Sequence, residues 1–174
     1  MTIKLIKLTK DYYDQLVEMI DEWRMDIKQQ HTNSSPATIF ENCYDDFDYY
    51  LAHLEVKQPT DTLVPDSTFF LYDEKRAKLL GAINIRHYLS EYLLHYGGHI
   101  GCGIRPSERR KGYATLMIIM ALIECKKLGI NRVLMVCNKD NIGSVKSILN
   151  NGGLLENETV DLKGNTIQRY WINI

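Results

Sequence analysis

The chain has 174 residues, of which 45% are hydrophobic and 25% charged, and its formal net charge is −1. That length suits one domain, residues 1–174, with a real core. The balanced charge speaks against a nucleic-acid binder, which carries a basic excess, and no apolar run reaches the ~20 residues of a membrane span. The N-terminus alternates instead of building a signal-peptide core. Cys43, Cys102, Cys125 and Cys137 show no C-x-x-C spacing. Neither a metal nor a disulfide framework is therefore expected, and a reducing cytoplasm is the default compartment.

Residues 2–8 alternate and predict a first strand. Tyr13, Leu16, Met19, Ile20, Trp23 and Ile27 recur at helical spacing and predict a helix over 10–29. His31 to Pro36 is polar and turn-like. A second helical stretch, rich in Asp and Tyr, is predicted over 37–55, followed by a loop from Gln58 to Pro65. Strands are predicted at 68–72 and 79–87 around the charged turn Asp73-Glu-Lys-Arg76. Leu89–Tyr96 reads as a short helix or excursion closed by Gly97-Gly98. Then come strand 99–105, helix 112–127 with Lys126, Lys127 and Gly129 as stop signals, strand 132–137, helix 141–150, and strands near 154–162 and 165–173. The unit 99–137 reads as a right-handed parallel crossover.

The segment Gly101-Cys-Gly-Ile-Arg-Pro-Ser-Glu-Arg-Arg-Lys-Gly-Tyr-Ala-Thr115 carries the chemistry. A basic, glycine-bearing loop opens an apolar helix, so free backbone N–H groups and the positive end of the helix dipole face one point. That geometry binds phosphate oxygens. The Walker pattern is absent, and Pro106 stands where a dinucleotide fingerprint needs its third glycine. Arg109-x-x-Gly112-x-Ala114 resembles the [QR]-x-x-G-x-[GA] signature of the GNAT superfamily of N-acyltransferases. Val133–Cys137 resembles that family's next strand, Asn138-Lys-Asp-Asn141-Ile-Gly-Ser144 the start of its last helix, and Asn151-Gly-Gly153 the end of it. Taken whole, including His99–Pro106 and the tail Ile167–Ile172, the chain is similar to a microbial branch of predicted acetyltransferases of unknown substrate.

The resemblance implies an α/β (α+β) fold. It has a mixed, mostly antiparallel sheet of about six to seven strands, helices on both faces, and a central parallel strand pair splayed around the coenzyme. It also implies acetyl-CoA as cosubstrate, with no metal. The coenzyme arm holds two amides, which can pair with an exposed strand edge. By resemblance the backbone of Ile104 and Arg105 takes the arm. The amides of Arg109, Arg110, Lys111, Gly112, Tyr113, Ala114 and Thr115 take the pyrophosphate. Gly112 lets the main chain approach closely. Asn141 is the family's helix-start asparagine or simply an N-terminal cap; Asn138 and Ser144 are further candidates.

The implied reaction is attack of an amine on a thioester, which needs a base for the amine proton. His99 stands ten residues before Arg109, where a subset of the family carries glutamate. It is either that base, beside the space left by Gly101 and Gly103, or a histidine bonded within the sheet. His87, Glu91 and Tyr92 are alternatives; His95 reads as an exposed loop residue, and nothing recommends His31 or His53. The family's usual acid is a tyrosine seven residues after the asparagine, a position held here by Ile148. Tyr170 is a substitute acid or an aromatic packing residue. Cys102 belongs to the apolar set Ile100-Cys102-Ile104 and reads as core. Asp45, Asp46 and Asp48 with Tyr44, Tyr49 and Tyr50 form either an acidic, aromatic mouth for a cationic amine or a solvated helix face.

The expected function is therefore N-acetylation of a primary amine on a small molecule or peptide. The alternatives are a non-catalytic acyl-CoA-binding sensor and a partner-binding module. Neither nucleic acid nor membrane is expected as a partner, and a homodimer is compatible with the sequence.

Overall fold

The computed structural model describes residues 2–30, 32 and 34–174; His31 lies outside them. Four strands, β1 (Ile3–Ile6), β2 (Asp66–Asp73), β3 (Lys78–Arg86) and β4 (Ile100–Ile104), form an antiparallel sheet in that order. Three more, β5 (Arg132–Asn138), β6 (Leu154–Val160) and β7 (Thr166–Asn173), form a second antiparallel sheet ordered β5-β7-β6. The helices are α1 (Tyr13–Gln30), α2 (Thr38–Glu41), α3 (Phe47–Ala52), α4 (Tyr113–Lys127) and α5 (Ile142–Leu149).

Alternation in the strands divides the interior in two. Phe70 and Leu71 are neighbours in β2 and both fully buried, yet they belong to different clusters. Successive side chains of a strand point to opposite faces. Phe70 packs with the buried stripe Leu16, Met19, Ile20 and Trp23 of α1, spaced as one helix face. Leu71 packs with Met117, Ile118, Ala121 and Cys125 of α4. The end of α4 follows its sequence signals. Gly129 takes φ 77, and the Ile130 N–H returns to the Cys125 carbonyl at 3.0 Å, which closes the last turn.

The helical stretch expected over 37–55 is two short helices. Asp46 takes extended backbone (φ −97, ψ 90), and its side chain accepts the Tyr49 N–H at 3.0 Å, capping α3. The acidic run that looked like a helix face contains a helix start. The excursion before β4 closes in a wide turn over Leu93–Gly97, with the Gly98 N–H on the Leu93 carbonyl at 2.6 Å.

The pair expected to be parallel, β4 and β5, forms no ladder. The strands touch at one end only. There the His99 N–H donates to the Leu134 carbonyl at 2.8 Å, beside an isolated bridge between Gly98 and Met135. A Cβ on Gly98 would lie 2.6 Å from the Leu134 carbonyl oxygen, so glycine is required for this approach.

One charged cluster locks α1 to the end of β4. Arg105, 1% exposed, donates from Nε to Glu22 at 2.9 Å, from Nη2 to Glu18 at 3.1 Å, and from Nη1 to the Leu79 carbonyl at 3.2 Å. The other oxygen of Glu22 accepts the Ser107 N–H at 2.7 Å. Burial alone would raise the Glu22 carboxyl, but the bonds from Arg105 and Ser107 hold it below the usual carboxylate range. Removing one member of a buried pair strands the other. Glu22→Ala is expected to lower unfolding free energy by about 3 kcal/mol in urea titrations. Glu18→Ala, at a carboxylate 61% exposed, is expected to cost about 1 kcal/mol or less. Equal losses would remove Glu22 as the main anchor.

Candidate active site

Beyond the His99–Leu134 contact, two strand edges face each other without hydrogen bonds between them. The Arg105 N–H donates to the Leu80 carbonyl at 2.9 Å, and the Arg86 N–H donates to the His99 carbonyl at 2.8 Å. With Gly103 opposite Ala82 and Gly101 opposite Asn84, the odd residues of β4 bond to β3. In an antiparallel ladder the intervening residues point the other way. Ile100, Cys102 and Ile104 therefore turn their N–H and C=O groups outward. On β5 the same alternation turns Leu134, Val136 and Asn138 toward β4. The sequence-based pair Ile104 and Arg105 thus needs correction. Ile104 lies on the outward edge with its N–H open among the described residues and its carbonyl taken by Arg109, whereas the Arg105 amide is spent on β3. Cys102 is the other residue on that edge; the two-residue period of a strand was the signal that could have found it.

At the far end of this slot the chain turns through Pro106–Glu108 into α4. Arg110 (φ 61) and Gly112 (φ 82) are both left-handed, bracketing Lys111. The Arg109 N–H is used in the turn, on the Pro106 carbonyl at 3.2 Å. The first helical bond runs from the Leu116 N–H to the Gly112 carbonyl at 3.1 Å. Between them, the amides of Arg110, Lys111, Gly112, Tyr113, Ala114 and Thr115 have no acceptor among the described residues. A run of such amides at a helix start makes a concave donor for anions.

The side chains of this loop do something else. Arg109 turns back, donating from Nη1 to Asp26 at 2.8 Å and from Nε to the Ile104 carbonyl at 3.2 Å. Lys111 donates to Glu108 at 3.0 Å. Glu108 also accepts from Arg76 at 2.9 Å, and Arg76 reaches the Tyr113 hydroxyl at 3.2 Å. Arg109, Lys111 and Tyr113 therefore brace the loop against α1 and the β2–β3 hairpin. Arg110, exposed and without an ion pair among the described residues, is the basic side chain left for a ligand. From α5, the Asn141 Oδ1 accepts the Ser144 N–H at 3.1 Å. It caps the helix and keeps its amide nitrogen available, while Ser144 has spent its own amide. Asn138 ends β5, exposed, and its carbonyl accepts the Asn141 N–H at 3.0 Å. Asn151 ties α5 to the loop helix by donating to the Thr115 carbonyl at 3.2 Å.

His99 and Tyr170 have other partners than those expected of a base and an acid. The Nδ1 of His99 accepts the Leu134 N–H at 2.9 Å, and the residue is 7% exposed. An imidazole whose Nδ1 lone pair is so engaged carries its proton on Nε2 and offers no basic atom. Burial, with the Arg86 charge nearby, pushes its pKa down to about 4. The space over Gly101 and Gly103 is also filled. A Cβ on Gly103 would lie 2.2 Å from the Ser35 carbonyl oxygen and 2.6 Å from the Trp23 ring. Tyr170 sits in the core on β7, one strand removed from the slot, and its hydroxyl donates to Gln168 at 2.6 Å. Ile148 is 1% exposed, and a Cβ on Gly153 would meet its Cγ2 at 2.4 Å. Of the other candidates, His87 bonds the Ser67 hydroxyl at 2.9 Å, and Glu91 and Tyr92 are exposed. Cys102, with its thiol pKa pushed up to about 12 by burial, holds no thiolate at neutral pH.

The acidic segment is also engaged elsewhere. Asp48 pairs with Lys10 at 2.8 Å, next to β1 and three strands from the slot. The Tyr44 hydroxyl donates to Asp21, and the Tyr50 hydroxyl to the Ile39 carbonyl at 2.9 Å. These residues hold α1, α2 and α3 together.

A model of the acetyltransferase (GNAT) family matches residues 17–148, and the chain belongs to that family. No curated protein matches it by sequence. Among solved structures of the same fold is the ribosomal-protein-S5-alanine acetyltransferase from Vibrio fischeri, with a TM-score of 0.72 at 14% identity, covering 99% of this chain and 93% of that one. A GNAT-family acetyltransferase from Bacillus anthracis gives 0.69 at 16%, covering 99% and 95%. The microcin C7 self-immunity acetyltransferase MccE, in complex with acetyl-CoA and AMP, gives 0.67 at 19%, covering 99% and 93%.

The His99 geometry has a measurable consequence. A histidine held neutral in the fold, with a pKa near 4 against 6.5 unfolded, contributes stability above pH 6.5. That contribution, up to about 3 kcal/mol, is lost as the pH falls from 6.5 toward 4. His99→Asn, which can still accept the Leu134 N–H, is expected to flatten this part of the stability profile. His99→Ala should cost about 1–3 kcal/mol at pH 7 by leaving that amide unpaired. A wild-type profile flat over this range would exclude the buried neutral imidazole.

Proposed function

We propose that this acetyltransferase-family chain transfers an acetyl group from acetyl-CoA to a primary amine. In this reading the coenzyme's pyrophosphate rests on the amides of residues 110–115, and its arm runs along the outward edge of β4 at Ile104 and Cys102. The observation that carries the reading is the continuity of these two features. Six unpartnered amides at a helix start lie at the same end of β4 as its unpaired edge. The first suits a diphosphate, and the second suits an arm bearing two amides. Arg110 adds a charge-assisted contact, and Asn141 offers its amide nitrogen across the slot.

The chemistry follows from the acceptor and the thioester. The neutral amine's lone pair attacks the thioester carbon; a C–N bond forms and the C–S bond breaks. The amine nitrogen loses one proton and the departing thiolate gains one. An outward amide of β4 can stabilise the oxyanion. With His99 engaged by Leu134, the amine proton leaves through solvent. With Ile148 where the family commonly has tyrosine, the thiolate is protonated by water, which a thiol pKa near ~8.5 permits. The same Ile148 favours one second reading, a sensor that binds acyl-CoA without turning it over.

Calorimetry with acetyl-CoA is expected to show binding in the micromolar range or tighter. Gly112→Asp, which forces a side chain and a negative charge into the left-handed position, is expected to abolish the heat. Arg110→Gly, which retains that backbone freedom, should weaken binding by roughly tenfold. Free thiol should appear only when enzyme, acetyl-CoA and an amine are combined. Tight binding without thiol release across a broad amine panel would leave the sensor; no heat at all would defeat both readings.

A further inference from the structure

Several guanidinium groups in this fold, exposed and buried, meet carboxylates. Arg76 is paired with Asp73 and Glu108, Arg105 with Glu22 and Glu18, Arg109 with Asp26, and Arg169 with Glu156. Arg86, at the end of β3 and half-buried, is paired with no carboxylate among the described residues. Among the described residues its guanidinium donates from Nη1, to the Gly97 carbonyl at 3.2 Å and the Gly98 carbonyl at 3.4 Å. Asp66, its ladder partner on β2, is committed to the Val56 N–H at 3.0 Å. Burial drives the Arg86 pKa down; the charge of Asp66 across the ladder opposes this only in part, and no carboxylate among the described residues makes a direct ion pair with the guanidinium.

The position of this cation matters. A Cβ on Gly101 would lie 3.2 Å from the Arg86 Nη2 and 3.4 Å from both its Nη1 and the Ser35 hydroxyl. Glycine at 101 is what lets the planar group lie over β4. Gly101 adjoins Cys102 on the free edge and lies two residues from His99, where β4 and β5 part. A cation and a hydroxyl thus converge at the closed end of the slot, opposite the loop that would hold the diphosphate.

We propose that Arg86, with the Ser35 hydroxyl, binds an anionic group of the acceptor, so that the acceptor is an amine carrying a carboxylate or phosphate a few bonds from its nitrogen. This inference rests on the transferase reading above. An anion on Nη2 and Nε adds the direct ion pair that Asp66, bonded to the Val56 N–H, does not make, in the fork geometry that guanidinium offers to carboxylate and phosphate. The distance of one residue from Gly101 to the free edge at Cys102 keeps the amine within reach of a thioester lying there. The acidic segment expected to attract a cationic amine is engaged within the fold, Asp48 by Lys10, Asp46 as a helix cap and Tyr44 by Asp21.

The test compares matched acceptors in thiol-release assays: α-amino acids against their carboxamides, and aminoalkyl phosphates against the corresponding amino alcohols. Wild-type kcat/KM is expected to favour the anionic member by about tenfold or more, with the better of the two series identifying carboxylate or phosphate. Arg86→Gln should erase that preference while the acetyl-CoA affinity measured by calorimetry stays within about twofold. Arg86→Lys, a point charge without the fork, should restore only part of it. Neutral amines turned over as well as their anionic partners, anionic amines not turned over at all, or a preference that survives Arg86→Gln would each overturn the assignment. The wild-type comparison decides even if the variants do not fold. Failure to bind acetyl-CoA would instead defeat the transferase reading itself.

Discussion

Two strands brought side by side by a helical crossover would ordinarily zip together, because unpaired backbone groups between them are costly. Here the pairing stops at one imidazole. The Leu134 N–H, which would have continued a ladder, is taken by the Nδ1 of His99 at 2.9 Å. Past that point β4 and β5 keep separate sheets, each paired on its far side only. The slot is a consequence of this arrest, and everything proposed about ligands depends on it. Of the two readings the sequence left for His99, a base or a histidine bonded within the sheet, the fold shows the second, at the point where the two strands part.

The other end of the slot is set by charge. Three carboxylates on one face of α1, Glu18, Glu22 and Asp26, hold Arg105 and Arg109. Glu108 gathers Arg76, Lys78 and Lys111. Most of the cations near the loop are thereby neutralised by the protein itself, and what remains for a ligand is backbone. An anion site built from amides is less dependent on flexible side chains, and its shape is fixed by the left-handed residues Arg110 and Gly112. The basic run Arg109-Arg110-Lys111 therefore divides, with one side chain facing outward and two serving the scaffold.

Much of this was legible in the sequence, and the reasons differ by residue. The order of strands and helices followed from periodicity and from stop signals such as Gly129. The loop at 109–115 followed from glycine placed before an apolar helix. The resemblance pointed to the consecutive residues Ile104 and Arg105, whereas a strand edge presents alternate ones, here Cys102 and Ile104. The partners of His99, Arg86 and Glu22 were not legible, because each lies 35 or more residues away or on a turn whose path no local pattern sets. Gly101 and Gly103 announced open space. Only the fold shows that a guanidinium, a serine and an indole occupy it.

Residue-resolved amide hydrogen exchange by NMR, without and with acetyl-CoA, tests the central claim most directly. The amides of Cys102, Ile104 and residues 110–115 should exchange quickly in the free protein, while Gly101, Gly103 and Arg105, bonded to β3, exchange slowly. Acetyl-CoA should then protect the first group and leave the second unchanged. Slow exchange at Cys102 and Ile104 in the free protein, or no protection at 110–115 with saturating acetyl-CoA, would contradict a slot built from these two sets of unpaired amides.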